Sequence, residues 1–359
     1  MLKKIDIYII KKFIGTFFFS IVLIISIAII FDISEKIDAF VDKQVPLKTI
    51  IMEHYLMFIP YFANLFSYLF IFISVIFFTS KMAQRTEIIA ILSSGISLRR
   101  LLWGYFLSAL FLSIMSFFLS AYIIPPANKI RIKFEDTYIN HKFRNFDKHL
   151  HKQIQPGIYV YMDNYNVDFN IGYKFTLSKY ENNELKSKLS ADYIQWDSIQ
   201  NKWILNNYVI RTIDSLNETI VKGYQLDTSI NMYPKDFRFR YTIVETLNLT
   251  QLNQFIAEQE MQGSENVISY KIYKYKMFSY PFSAFILTLI GFVISMRKTR
   301  GGIGLHIGLG LFMSFAYIVF MQFSTNFAIG GSMNPILAVW TPNIIFTIIA
   351  VILYKYAPK

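Results

Sequence analysis

Six long apolar segments, three on each side of a polar stretch, constrain this chain more than any other feature of its sequence. Phe13–Phe31, Tyr55–Thr79 and Leu101–Ile124 come first; Met277–Met296, Ile303–Thr325 and Pro335–Tyr354 follow the polar stretch. Each is close to the ~20 residues that a helix needs to cross a hydrocarbon core. Apart from His306 at the edge of the fifth, none contains a charged residue or a histidine. A soluble core helix of that length needs a polar face, and these segments lack one. The expected fold is an α-helical polytopic membrane protein, six spans in a 3 + 3 arrangement, with a domain inserted between the halves.

Basic residues set the expected orientation. Lys3, Lys4, Lys11, Lys12, Lys81, Arg85, Arg99, Arg100, Arg297, Lys298, Arg300, Lys355 and Lys359 fall on one side, against only Asp6 and Glu87. The short loop on the other side carries Lys36, Lys43 and Lys48 against Asp32, Glu35, Asp38, Asp42 and Glu53. The positive-inside rule puts both termini in the cytoplasm and the large polar domain outside. Most of the formal +12 charge therefore reports topology, with no call for nucleic-acid binding. The first segment has the basic flank of a signal peptide, but its apolar run is longer than a secretory core and no small-x-small site follows before Asp32, so it is expected to stay as a helix.

The polar stretch changes period. Between Gly157 and Tyr241, Ile158, Val160 and Met162 alternate with Tyr159, Tyr161 and Asp163; Phe169, Ile171, Tyr173, Phe175 and Leu177 read as one face of a longer strand. Turn clusters at Asp163-Asn164, Glu181 to Glu184, Asp197 to Lys202 and Asp214 to Glu218 separate such runs, the pattern of an antiparallel all-β domain of jelly-roll type. Helical spacing returns from Thr250 to Gly263 through Leu252, Phe255 and Ile256. The expected division is 1–124 for the first three spans, with a coupling helix at 82–94; 125–276 for the β domain and its amphipathic connector; and 277–359 for the last three spans.

Reaction chemistry is thinly represented. Cysteine is absent, which excludes disulfides and thiol catalysis. Gly301-Gly302-x-Gly304 lacks the Lys-Ser/Thr of a phosphate-binding loop. His149-x-His151 has no carboxylate partners at ligand spacing and reads as part of a solvated basic stretch with Lys142, Arg144, Lys148 and Lys152. No metal, cofactor or catalytic set is expected of this chain, and no acid lies mid-span to couple an ion gradient. Energy for any transport is expected from another subunit.

A contact for that subunit lies between the second and third spans. In Lys81–Ser97, Ile88, Ile91 and Leu92 follow helical spacing, Arg85 and Glu87 flank the start, Gly95 suits a helix stop and Ser97 an N-cap. Taken alone, this is also how an ordinary interfacial loop reads.

The whole pattern resembles the LptF/LptG permease family, the membrane subunits of the lipopolysaccharide-exporting ABC transporter. The resemblance rests on the 3 + 3 spans, Asp6-x-Tyr8, Arg85-Thr86-Glu87 followed by Ser94-Gly95-Ile96-Ser97, Pro281, and Gly330-Gly331…Pro335…Trp340-Thr341-Pro342-Asn343. Phe31 to Asp38 is more similar to the G-type subunit. Tyr273 departs from the acid that many relatives carry near that position. The resemblance implies a second permease of the F/G pair, a cytosolic LptB-like ATPase dimer that uses ATP, periplasmic LptC/LptA-like jelly-roll partners, and lipopolysaccharide as cargo. It implies ATPase coupling through Arg85, Glu87, Ile88, Ile91, Leu92 and Gly95. Gly304 and Gly308 make a G-x-x-x-G face on the fifth span, where the family has its lateral gate. Lys36 and Lys43 are candidate donors to lipid phosphates, or simple partners of Glu35 and Asp42. Two other readings stay open: a membrane sensor or scaffold with a ligand-binding outer domain, and a lipid-modifying membrane enzyme.

Overall fold

The computed structural model describes residues 3–139, 148–214, 217–237, 241–264, 266–297 and 302–357. The chain divides into two compact units: 1–138 with 245–249 and 268–359, and 139–244 with 250–267.

Helix α1 runs through Lys4–Asp42, about 58 Å at 1.5 Å per residue and so much longer than a bilayer core requires. Its buried residues, Asp6, Ile9, Phe13, Phe17, Ile21 and Ile25, recur every three or four positions and form one stripe. A short helix α2 (Leu47–Thr49) and a π-helical stretch (Ile50–Tyr55) lead into α3 (Leu56–Leu65) and α4 (Ser67–Gln84). The second apolar segment is therefore broken, at Phe66 (φ −99°, ψ 2°), an interruption its continuous hydropathy does not reveal. Polar side chains brace this region: Ser116 donates to Asn64 Oδ1 at 2.7 Å, and Asn64 donates to Ser120 Oγ at 2.8 Å. Helices α5 (Glu87–Ser93), α6 (Leu98–Phe118) and α7 (Ile124–Tyr138) complete the first half.

Among the described residues, six helices are long and apolar enough to cross a membrane. Of these, α4 lies deepest in the bundle, with 61% of its apolar window buried, against 22% for α1. After the inserted domain, α9 (Val267–Ser295), α10 (Gly302–Ile329) and α11 (Pro335–Lys355) finish the bundle. One cluster joins Ile9, Phe13, Ile71, Phe78, Tyr105 and Phe292; a second joins Phe72, Ile76, Leu287, Tyr317 and Phe346. Asn343 of the Trp-Thr-Pro-Asn run binds the last helices together. It accepts from Tyr317 Oη at 3.0 Å and donates to the Ser279 carbonyl at 3.0 Å, two residues before Pro281.

Among the described residues the second unit holds six strands: β1 (Lys148–Gln155), β2 (Ile158–Asn166), β3 (Ile171–Glu181), β4 (Glu184–Asp197), β5 (Lys202–Asp214) and β6 (Asn217–Thr228). They pair in chain order as one antiparallel sheet, so each neighbour is reached by a hairpin and no strand crosses over. Antiparallel pairing and a single buried face are what this meander has in common with the expected jelly roll. Val160, Met162, Phe175, Leu177, Ile194, Trp203 and Leu205 make that face's core. Trp203 is fully buried, and its Nε1–H donates to the Met232 carbonyl at 2.7 Å.

The expected single face of Phe169, Ile171, Tyr173, Phe175 and Leu177 is not formed. Lys174 adopts φ +51° and is skipped in the pairing with β4, whose Asp192 is also skipped. The left-handed residue reverses the side-chain alternation while the register runs on unshifted, from Tyr173 opposite Tyr193 to Phe175 opposite Ala191. Gly172 and Phe175 both point inward, whereas Tyr173 is exposed. A Cβ at Gly172 would overlap Met162 Sδ, so a larger residue there needs the Met162 side chain to move. Helix α8 (Leu249–Met261), with Leu252 and Ile256 buried, follows the expected spacing.

Candidate functional site

The Lys81–Ser97 segment turns sharply. Helix α4 ends at Gln84, and Thr86 takes the left-handed conformation (φ 61°, ψ 10°) as the N-cap of α5. A β-branched residue there carries strain of order 1–3 kcal/mol, so neighbouring contacts must hold it. Helix α5 then stops: Gly95 has φ +83°, and its N–H donates to the Leu92 carbonyl at 3.1 Å. Ser97 caps α6 by accepting from the Arg100 N–H at 3.3 Å.

The holding contacts come from the start of α1. Tyr8 Oη donates to Glu87 Oε2 at 2.7 Å. Asp6, only 1% exposed, pairs with Arg100 and accepts from the Lys3 N–H at 2.7 Å, which caps its own helix. Arg85 stands 4.0 Å from Glu87 and is well exposed. Helices α1 and α6 approach closely at Gly104, where a Cβ would sit 3.0 Å from Ile9 Cβ. The Asp6-x-Tyr8 and Arg85-Thr86-Glu87 motifs, distant in sequence, thus form one braced corner. Sequence reasoning placed both motifs but found neither pairing, because its periodicity arguments reach only a few residues.

The apolar residues of α5 divide differently from expectation. Ile88 is 1% exposed and lies in the chain's own core with Ile9, Met82, Ala83, Leu98 and Leu101. Ile91 and Leu92 are half-buried against the same cluster. Ile89, which the sequence reading passed over, is 56% exposed. The part of α5 open to another molecule comprises Ile89, Ala90 and Ser93, beside the partly exposed Glu87 and with exposed Arg85 just ahead of the helix.

At the far end of α1 a second polar cluster gathers. Lys36 Nζ donates to Asp32 Oδ1 at 2.6 Å, so its partner is the acid one turn back, neither Glu35 nor Asp42. Asp32 Oδ2 also lies 2.9 Å from His54 Nε2 and accepts from Tyr55 Oη at 3.1 Å. The π-helical stretch carries His54 to full burial, with Nδ1 3.8 Å from Glu135 Oε1. Lys43 donates to the Thr137 carbonyl at 3.2 Å. Near Glu135, the carboxyl of Glu245 is pushed above its usual range by burial; the Arg131 guanidinium opposes this, and Glu135 adds to it.

Gly304 and Gly308 meet nothing within 4 Å of an added Cβ, so they face open space. The close approach within this chain is instead at Gly310, where a Cβ would overlap Ile76 Cδ1, and at Gly291 against Phe72. His149 is exposed and lies 3.0 Å from Tyr161 Oη and 3.5 Å from Asp163. Lys142, Arg144, Lys298, Arg300, Gly301 and Lys359 fall outside the described residues. Among the described residues no group of three or more His, Asp or Glu side chains could hold a metal ion.

Among the described residues, six membrane-length helices, three before and three after an inserted antiparallel β domain in the sequence, define a multi-pass membrane protein. The family described as "Lipopolysaccharide export system permease LptF/LptG" matches residues 7–356, nearly the whole chain. The chain belongs to the LptF/LptG permease family, and its general role is that of a permease in lipopolysaccharide export. Comparison with curated protein sequences returns no match.

Proposed function

We propose that this chain is one of two paired permeases that lift lipopolysaccharide from the outer leaflet of the inner membrane and pass it to periplasmic jelly-roll partners. A cytosolic ATPase dimer supplies the energy. In this reading both termini are cytoplasmic, the β domain is periplasmic, and the three divisions 1–124, 125–276 and 277–359 act as anchor, receiver and gate.

The observation that carries the reading is the braced corner at α5. Glu87 and Ile89 are displayed on a helix whose other face is locked into the bundle by Ile88 and whose start is held by Tyr8 and Asp6. A lever fixed to the membrane helices on one side and open on the other is what a soluble motor subunit needs to grip. A cationic side chain of the ATPase would pair with Glu87. The positive charge of the adjoining segments supports placing this end in the cytosol.

The outward aromatic surfaces of α1 and α10, among them Phe19, Phe31, Phe312 and Phe315, support a face for acyl chains or for the second permease. Open Gly304 and Gly308 favour close helix approach there. Lys43, whose described partner is a backbone carbonyl, is freer to meet a lipid phosphate than Lys36, which Asp32 holds.

Purification in mild detergent from the native membrane tests the proposal. The expected companions are a cytosolic ATPase, a second permease and bound lipopolysaccharide. Lipopolysaccharide release from vesicles containing this chain alone, without ATP, would overturn it.

A further inference from the structure

The face of the sheet opposite its core is not a plain solvated surface. Val160 and Leu177 point into the core, so the pleat sends Tyr159, Tyr161, Thr176 and Ser178 to the other side. Strand pairing sets these side chains in two adjacent rows. In one, Tyr161 stands between His151 and Thr176; in the next, Tyr159 stands opposite Ser178, which in turn faces Lys188. The rows floor an open groove of about 1010 Å³.

Two neighbouring turns shape one end of the groove. Gly157 (φ +76°) closes the β1–β2 hairpin, and its carbonyl accepts from the Tyr180 N–H at 2.7 Å. A Cβ at this glycine would sit 2.5 Å from the Tyr180 carbonyl oxygen. The approach draws Tyr180 beside Tyr159, ring edge to ring face at 5.7 Å. At the other turn Asn182 and Asn183 both have positive φ, 50° and 65°, the conformation of a two-residue hairpin loop, and both line the groove.

These groups match one ligand chemistry. Tyr159 and Tyr180 are 45% and 40% exposed, leaving ring faces open. Thr176 and Ser178 supply hydroxyls, Asn182 and Asn183 supply carboxamides, and each such group both donates and accepts. Lys188 adds a cation with no ion-pair partner among the described residues. A sugar ring presents an apolar C–H face for an aromatic ring and an edge of hydroxyls that also donate and accept. An acyl chain would strand the polar groups, which costs free energy. A peptide strand would find no open edge on the floor, because β2 and β3 are already paired on both sides.

We propose that the outer face of β1–β4 is a binding groove for an acidic saccharide, with Tyr159 and Tyr180 as stacking platforms and Lys188 reading a phosphate or carboxylate on the sugar. This deepens the transport reading by assigning the cargo's headgroup to one face of the sheet, but the groove's chemistry stands without it.

The test uses the full chain in mild detergent, without ATPase or nucleotide. The probe is the acyl-free acidic oligosaccharide released from lipopolysaccharide by hydrolysis, with a neutral oligosaccharide and inorganic phosphate as comparisons, read by saturation-transfer NMR and calorimetry. The expected result is saturable binding of the acidic saccharide, weakened at least tenfold in Tyr159→Ala. Lys188→Ala is expected to weaken acidic but not neutral saccharide binding, with unfolding temperature unchanged in both variants. No saccharide binding, equal binding in Tyr159→Ala, or phosphate alone binding as tightly as the saccharide would each overturn the proposal. Because no transport step is involved, either result leaves the ATPase-coupling reading to its own test.

Discussion

Replacing Glu87 by alanine separates a coupling role from a structural one, because the structure limits what the change costs the fold. The variant loses the hydrogen bond from Tyr8, which at an exposed site contributes about 1 kcal/mol. It also loses the 4.0 Å contact with Arg85, which is more than half exposed and contributes well under about 1 kcal/mol. A carboxylate in the first turn of α5 adds a few tenths of a kcal/mol at most. The total, roughly 1–2 kcal/mol, is small beside the ~5–15 kcal/mol that holds a typical folded protein together. Insertion and folded yield are therefore expected to match the wild type. An ion pair buried at the ATPase contact contributes more: truncating one partner costs about 2–5 kcal/mol, at least tenfold in affinity. Tyr8→Phe is the companion variant, since it removes the same hydrogen bond and leaves the carboxylate in place. The assay is ATP-driven lipopolysaccharide release from proteoliposomes containing the purified complex, alongside ATPase retention on a tagged permease. Glu87→Ala is expected to lose both by tenfold or more, and Tyr8→Phe by no more than about twofold. Normal export by Glu87→Ala, or an equal loss in Tyr8→Phe, would refute the reasoning.

Gly310→Leu is expected to destabilise the bundle by about 1–3 kcal/mol through overpacking against buried Ile76, read as a lower unfolding temperature in detergent. Gly308→Ala, with open space around its Cβ, is expected to leave that temperature unchanged; the reverse ranking would contradict the packing of α4 on α10. Burial raises the pKa of Glu245 from its usual 4.5, so the folded chain keeps a proton that the unfolded chain releases. That contribution to stability is complete below about pH 4.5 and is lost as pH rises through the folded value. Glu245→Gln is thus expected to unfold at a higher temperature than the wild type near neutral pH, with the difference vanishing in acid. A constant difference across pH would show that the carboxyl does not titrate with folding.

Composition and hydrophobic period were enough to dictate the membrane architecture. Segments such as Pro335–Tyr354 have no polar face to turn toward water, and alternation such as Val160-Tyr161-Met162 has one face to bury, so composition and period sufficed for six helices and an antiparallel sheet. Gly95 and Ser97 were legible for the same reason: a helix end is a local event governed by φ and one side chain. What reached across the chain was not legible. Only the tertiary structure joined Tyr8 to Glu87 and Asp6 to Arg100, broke the second span at Phe66, and reversed the face of β3 at Lys174. It alone placed Ile88 inside the bundle and left Ile89 outside. Hydropathy reports how much surface a residue wants to hide, but not which partner hides it. That choice is made by packing among residues far apart in sequence, and the candidate sites of this protein lie where such choices meet.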